Sequence, residues 1–345
     1  MQTAIYQVTE STERLIYGVA GQTIMVEARD DWAAKMIREL FSGWYLQPDS
    51  GAREALLSPA IVIGSGTKPP EIPRSWPQFE IAGSGTCFTN GQTSYIDIDG
   101  SIVAIGKPGH AVVEVWTKGR LESQTQALTR VVTYALAAAL RRRHLFELHS
   151  GAVINPETGR GVLIIGPSGS GKSTLTVQLA AAGWHFLTDD VLLLSEEGDA
   201  VKAWPLRRCF AITSDTLAAS NFLRDSASLD HLRGERDDQS NDKKQFLPHS
   251  VFDSEFREQC VPQALFFSQI SGGEGSQVSR LSSAESMARL IRMSPWSCYD
   301  RTTAAEHLAT LSALVKQSIG YSLLAGKDLL DFARAKDLIS SYTRA

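Results

Sequence analysis

Residues Gly166 to Ser173 read Gly-Pro-Ser-Gly-Ser-Gly-Lys-Ser and satisfy the spacing G-x-x-x-x-G-K-[ST]. The chemistry of that spacing is anion capture. Gly166, Gly169 and Gly171 let the backbone curl so that its N–H groups point inward at an anion. Lys172 can set its ammonium on the β- and γ-phosphates of ATP, and the Ser173 hydroxyl can bind Mg²⁺. One helix further on stand paired acids, Asp189 and Asp190. One carboxylate can hold the Mg²⁺; the other is then available as base for an attacking hydroxyl.

Positioning these groups requires a strand, a helix and a second strand. The apolar run Val162 to Ile165 predicts a buried strand that delivers the loop. A helix is predicted from Ser173 to Ala182, with Leu175 and Leu179 on one face and Gly183 as its stop. Its N-terminus adds the positive end of a dipole at the phosphates. His185 to Leu187 is a short strand running into the acids. Upstream, His149 heads a strand that should pair beside the loop strand, which brings it near the phosphates; a merely packed histidine is the alternative.

The bulk composition bounds the rest. A chain of 345 residues favours two domains. Hydrophobic content of 43% and charged content of 21% describe an ordinary globular protein, and a net charge of −4 gives no reason to expect nucleic acid as partner. Cys87, Cys209, Cys260 and Cys298 form no C-x-x-C pair, which argues against zinc or a disulfide framework and suits a reducing, cytoplasmic location. The N-terminus carries Glu10 and Glu13 where a signal peptide needs basic then apolar residues, and no apolar stretch is long enough to span a membrane.

Residues 1–122 read as a smaller, β-rich α+β domain. Alternation marks Ala4–Val8, Arg14–Val19 and Thr23–Glu27, and Asp30 should cap a helix over 31–41. Gly64 to Pro77 reads as a loop, and Asn90-Gly91 and Asp99-Gly100 as two-residue hairpin turns. A helix over 125–142 ends in Arg141, Arg142 and Arg143, best read as a solvated basic end. Past the acids, Arg207 or Arg208 could stabilise a transferring phosphoryl group or lie on the surface. Asn221 to Lys244 reads as a charged surface segment able to close over a ligand. Helices follow over 284–293, 303–318 and 329–342.

His149, the strand, GPSGSGKST and GWHFLTDDVLLL together resemble the HPr kinase/phosphorylase superfamily over about residues 145–215, with a more distant similarity to ATP-dependent phosphoenolpyruvate carboxykinase. The resemblance implies a P-loop α/β kinase domain over 123–345. It implies that Gly166, Pro167, Ser168, Gly169, Ser170, Gly171, Lys172, Ser173 and Thr174 hold the triphosphate. Ser173 and Asp189 would support Mg²⁺, Asp190 would be the base and His149 would sit beside the pair, with the two Asp roles open to exchange. The loop ends Ser-Thr where those kinases usually have Ser-Glu, and Ser150 follows the histidine where they usually have Gly. Their signature for docking HPr is missing. These departures bear on HPr as acceptor and on the reverse reaction, not on nucleotide binding.

The expected function is Mg-ATP-dependent transfer of a phosphoryl group to a Ser or Thr hydroxyl of a small protein or peptide, with homo-oligomerisation possible. Alternatives are a kinase of small hydroxyl compounds such as free serine, and an ATP-binding sensor or assembly protein without turnover.

Overall fold

The computed structural model describes residues 12–42, 46–49, 58–65, 69–81, 85–105, 113–117, 125–206, 210–213, 217, 243–246 and 255–343. By their contacts these divide into two compact units, the first reaching Arg143 and also taking in residues 300–302, the second built from the rest of the chain after it.

In the first unit, short alternating segments build one nine-stranded sheet. Its strands are β1 (Glu13–Val19), β2 (Gln22–Ala28), β3 (Gln47–Pro48), β4 (Ile61–Ser65), β5 (Gln78–Ile81), β6 (Gly85–Thr89), β7 (Ser94–Ile98), β8 (Ser101–Ile105) and β9 (Val113–Thr117). Their spatial order is β3-β1-β2-β4-β9-β8-β7-β6-β5. β4 lies parallel to both its neighbours, β2 and β9. Helix α1 (Asp31–Ser42) starts where expected, because Asp30 Oδ1 accepts from the Ala33 N–H at 2.8 Å. Helix α2 (Thr125–Arg141) packs on β8 and β9. The sequence reading drew its boundary ahead of this helix, whereas the contacts divide the chain behind it.

Several local expectations are corrected. Asn90-Gly91 does not form a two-residue turn: Thr89 pairs with Ser94, so the loop has four residues. Asn90 Oδ1 accepts from the N–H groups of Gln92 and Thr93 (2.9 and 2.8 Å), and this side-chain turn displaces the tighter one. Asp99-Gly100 does form the two-residue turn, with φ values of 52° and 83°. Gly64 belongs to β4, not to the loop after it. Arg141 and Arg142 are not a solvated end. Arg141 is buried, and its Nε and Arg142 Nη1 meet the same oxygen of Asp300 at 3.4 and 3.0 Å. The Ala4–Val8 strand, Arg207, Arg208 and most of Asn221–Lys244 lie outside the described residues.

The second unit is a three-layer arrangement. Its sheet holds β10 (Phe146–Ile154), β11 (Gly161–Ile165), β12 (His185–Thr188), β13 (Val191–Glu197), β14 (Ala200–Pro205), β17 (Pro262–Ile270), β18 (Gln277–Arg280) and β19 (Ile319–Ala325). A separate ribbon pairs β15 (Phe210–Thr213) with β16 (Lys243–Phe246). The order is β14-β13-β10-β11-β17-β19-β18, with β12 beside β10. β11, β17 and β19 are mutually parallel, so their C-terminal ends share one edge. The helices are α3 (Lys172–Ala181), α4 (Ser283–Met293), α5 (Trp296–Tyr299), α6 (Arg301–Gln317) and α7 (Phe332–Ser341). The helix expected over 329–342 is broken: a 3₁₀ turn, Lys327–Leu330, stops where Asp331 caps α7 through the Arg334 N–H at 2.9 Å.

β11 is buried on both faces, as its unbroken apolar run requires. Val162 and Ile164 pack with Leu175, Leu179, Trp184, Leu329 and Ile339 on the α3/α7 side. Leu163 and Ile165 pack with Leu290, Leu311 and Leu314 on the α4/α6 side.

Candidate active site

The loop leaves β11 at Gly166 and turns through Pro167–Ser170, whose ends join by the Ser170 N–H donating to the Pro167 carbonyl at 3.2 Å. Gly169 (φ 79°) and Gly171 (φ 86°) take the left-handed conformation, which a side chain would strain. Gly171 is the N-cap of α3, so the helix opens at Lys172 with its first N–H groups facing the loop. Lys172 is buried, and its Nζ reaches back across the loop to the Pro167 carbonyl at 2.9 Å. From the next strand the Ser268 hydroxyl donates to the Ser170 carbonyl at 2.8 Å and pins the loop to β17. The sequence reading missed Ser268; a serine in an apolar strand gives no spacing signal.

β10 is the strand that brings the acids to this loop. Its residues Ser150 to Ile154 pair antiparallel with β11, Ser150 standing opposite Ile165, the last residue before the loop. On its other flank, Phe146–His149 pair with β13 and Ala152–Ile154 with β12. β12 and β13 are therefore one strand interrupted at Asp189-Asp190. The Thr188 hydroxyl spans the interruption to the Val191 carbonyl at 3.3 Å, and the Ser150 N–H donates to the Asp190 carbonyl at 2.9 Å. The acids thus leave the regular ladder at the level where β11 gives way to the loop. His149 does not head its strand, as expected from sequence, but lies within it. Alternation puts it on the same face as Gly151 and Val153, the face that meets α3.

Two contacts close the group. His149 Nε2 lies 2.6 Å from Asp190 Oδ1, both residues partly exposed. The Ser173 hydroxyl lies 3.5 Å from the Asp189 carbonyl. Asp189 itself is buried. Ser150, the departure from the resembled pattern, is buried with its hydroxyl within reach of the carbonyls of Gly151 (2.7 Å) and Ile164 (3.0 Å). It serves the β10–β11 seam and takes nothing from the loop.

No family model matches the chain, and no curated protein matches it. Among solved structures, the Hpr(Ser) kinase/phosphatase from Coxiella burnetii is 17% identical over 35% of this chain, with a TM-score of 0.25. The match spans 58% of that protein's length.

The residues present fit a phosphate chain on structural grounds. A Cβ added at Gly166 would meet Ser170 Oγ at 2.5 Å and the Ser268 carbonyl at 2.6 Å, so the loop is close-packed on that side, while Ser168 and Gly169 are exposed. Ser170 Oγ is buried without a hydrogen-bond partner among the described residues. Among those residues no three His, Cys, Asp or Glu side chains converge as a metal-binding group. Mg²⁺ does not require one, since it takes one or two carboxylates and fills its shell with phosphate and water. Among the described residues no helix is long and apolar enough to cross a membrane.

Proposed function

We propose that the chain is an ATP- and Mg-dependent phosphotransferase acting on a hydroxyl, with Ser or Thr of a small protein or peptide as acceptor. The observation that carries this reading is the His149–Asp190 pair, 2.6 Å apart, held by β10 and the interrupted strand at the level where the glycine-rich loop begins. A glycine-rich turn serving only packing has no use for a histidine from β10 and two acids from the neighbouring interrupted strand gathered at the end of β11.

The roles follow from exposure and reach. The loop N–H groups and the α3 N-terminus bind the phosphates. The Lys172 ammonium exchanges the Pro167 carbonyl for β- and γ-phosphate oxygens. Ser173 and Asp189 would hold Mg²⁺, which would supply neutralisation of the charge on those oxygens. Asp190, more exposed than Asp189, is the carboxylate an incoming hydroxyl can reach, which favours it as base and Asp189 as metal support. The hydroxyl oxygen bonds to the γ-phosphorus as the bond from that phosphorus to the β–γ bridging oxygen breaks. ADP leaves, and the hydroxyl proton passes to Asp190. His149 orients the Asp190 carboxylate.

The test is a phosphotransfer screen. Purified protein with Mg-ATP is offered small proteins, a peptide library and free hydroxy amino acids, and products are read by mass spectrometry. Transfer to a protein or peptide is expected. Asp190→Asn should lower it at least about a hundredfold while ATP affinity stays within about twofold. ATP binding with no transfer to any pool would favour a sensor, and transfer to free amino acids alone a small-molecule kinase. Absence of ATP binding would end the reading of Gly166 to Ser173.

A further inference from the structure

β17 contributes more than Ser268 to the rim of the loop. Two residues on, and so on the same face of the strand, stands Ile270, 56% exposed. A Cβ built on Gly171 would lie 3.6 Å from Ile270 Cγ1 and 3.9 Å from Cδ1, so this side chain rests against the backbone from which α3 starts. Ala325 of β19 pairs with Ile270 in register and extends the same apolar surface. Neither sits on a loose end. The Ser271 N–H donates to the Ala325 carbonyl at 2.9 Å, the Gly326 N–H to Ser276 Oγ at 2.8 Å and the Lys327 N–H to the Gly273 carbonyl at 3.0 Å.

We infer that Ile270, backed by Ala325, is the nucleoside shelf of the site: the apolar contact for the base and ribose of the bound nucleoside triphosphate. This rests on the phosphate reading of the loop and adds the direction in which the ligand lies. His149 and Asp190 flank β11 on its β10/β13 side, so the phosphoryl group that reacts must point there. The nucleoside, at the other end of the phosphate chain, leaves on the opposite flank, where β17 and β19 end. On that flank, among the described residues, Ile270 is the large exposed apolar side chain against the loop backbone, followed by the small and polar run Ser271 to Ser276. An apolar shelf reads no base edge, so it holds nucleotides without choosing sharply between their bases.

Calorimetric titration of the intact chain with Mg-ATP and with Mg-tripolyphosphate, which carries the phosphates and no nucleoside, tests this. Ile270→Ser should weaken ATP about five- to tenfold and leave tripolyphosphate within about twofold. Ile270→Leu, which keeps the apolar surface, should bind ATP within about twofold of the native chain. An unchanged ATP affinity in Ile270→Ser overturns the inference, as does equal weakening of both ligands, which would mean a distorted loop. Native protein that binds tripolyphosphate as tightly as ATP overturns it too. Native protein that binds neither removes the phosphate reading and this inference together.

Discussion

Cys260 and Cys87 show how far a residue's chemistry depends on its surroundings. Burial pushes both thiols up to about 12; at Cys87 the nearby Asp300 carboxylate adds to that effect. A raised thiol value means that at pH 8 the neutral form persists and the nucleophilic thiolate does not form. Cys298 is exposed. Iodoacetamide at pH 8 should therefore label Cys298 in the native chain and spare Cys87 and Cys260, with all four cysteines of the chain labelled in urea; peptide mass mapping reads this. At this scale the sequence was informative where type and spacing sufficed. Lys172 and Ser173 follow from the motif alone. Ser268 and Ile270 do not, because they reach the loop by strand register across a long separation in sequence. Arg141 was misread because a basic helix end ordinarily meets water, and nothing local announces Asp300.

At the scale of elements, the site depends on how closely β10 approaches α3. A Cβ at Gly151 would lie 2.2 Å from Thr176 Oγ1, and that hydroxyl is held by its own bond to the Lys172 carbonyl at 2.9 Å. Gly151→Ala should cost about 1–3 kcal/mol in urea unfolding, and adding Thr176→Ala should recover part of it by removing the obstructing oxygen. A second element carries a pH signature. Ser282 and Glu285 form a reciprocal cap on α4, and the hydrogen bonds from Ser282 hold the Glu285 carboxyl below its ordinary value. A depressed carboxylate adds stability above its unfolded value of about 4.3, and that contribution fades as pH falls through the folded one. Ser282→Ala should thus lower the melting temperature at pH 7, with a gap that narrows towards pH 3. Periodicity showed α1, α2, α3 and the double-faced burial of β11. It did not show that β12 and β13 are one interrupted strand, since the pairing that reveals this lies on β10.

For the whole molecule, what the phosphate reading predicts is a coupling between ligand and unfolding. A ligand that binds only the folded state at a hundred times its dissociation constant adds about 2.7 kcal/mol of stability. Mg-ATP should accordingly raise the melting temperature of the chain by several degrees. Lys172→Ala should abolish the shift. Hydrogen exchange should slow across residues 161–190 of the second unit when Mg-ATP is added. A shift that persists in Lys172→Ala would place the ligand elsewhere.

Trp184 turns the architecture into an instrument. It is fully buried against Leu179, at the end of the helix whose other end opens at Lys172, and its backbone N–H donates to the Leu179 carbonyl at 3.0 Å. An indole in so dry a setting emits towards the blue, and its quantum yield follows small changes in the packing around it. The chain therefore carries an optical reporter wired to the far end of α3. The difference in emission between the native chain and Trp184→Phe isolates that signal, and the proposed binding of Mg-ATP at the loop would be read from it without a label.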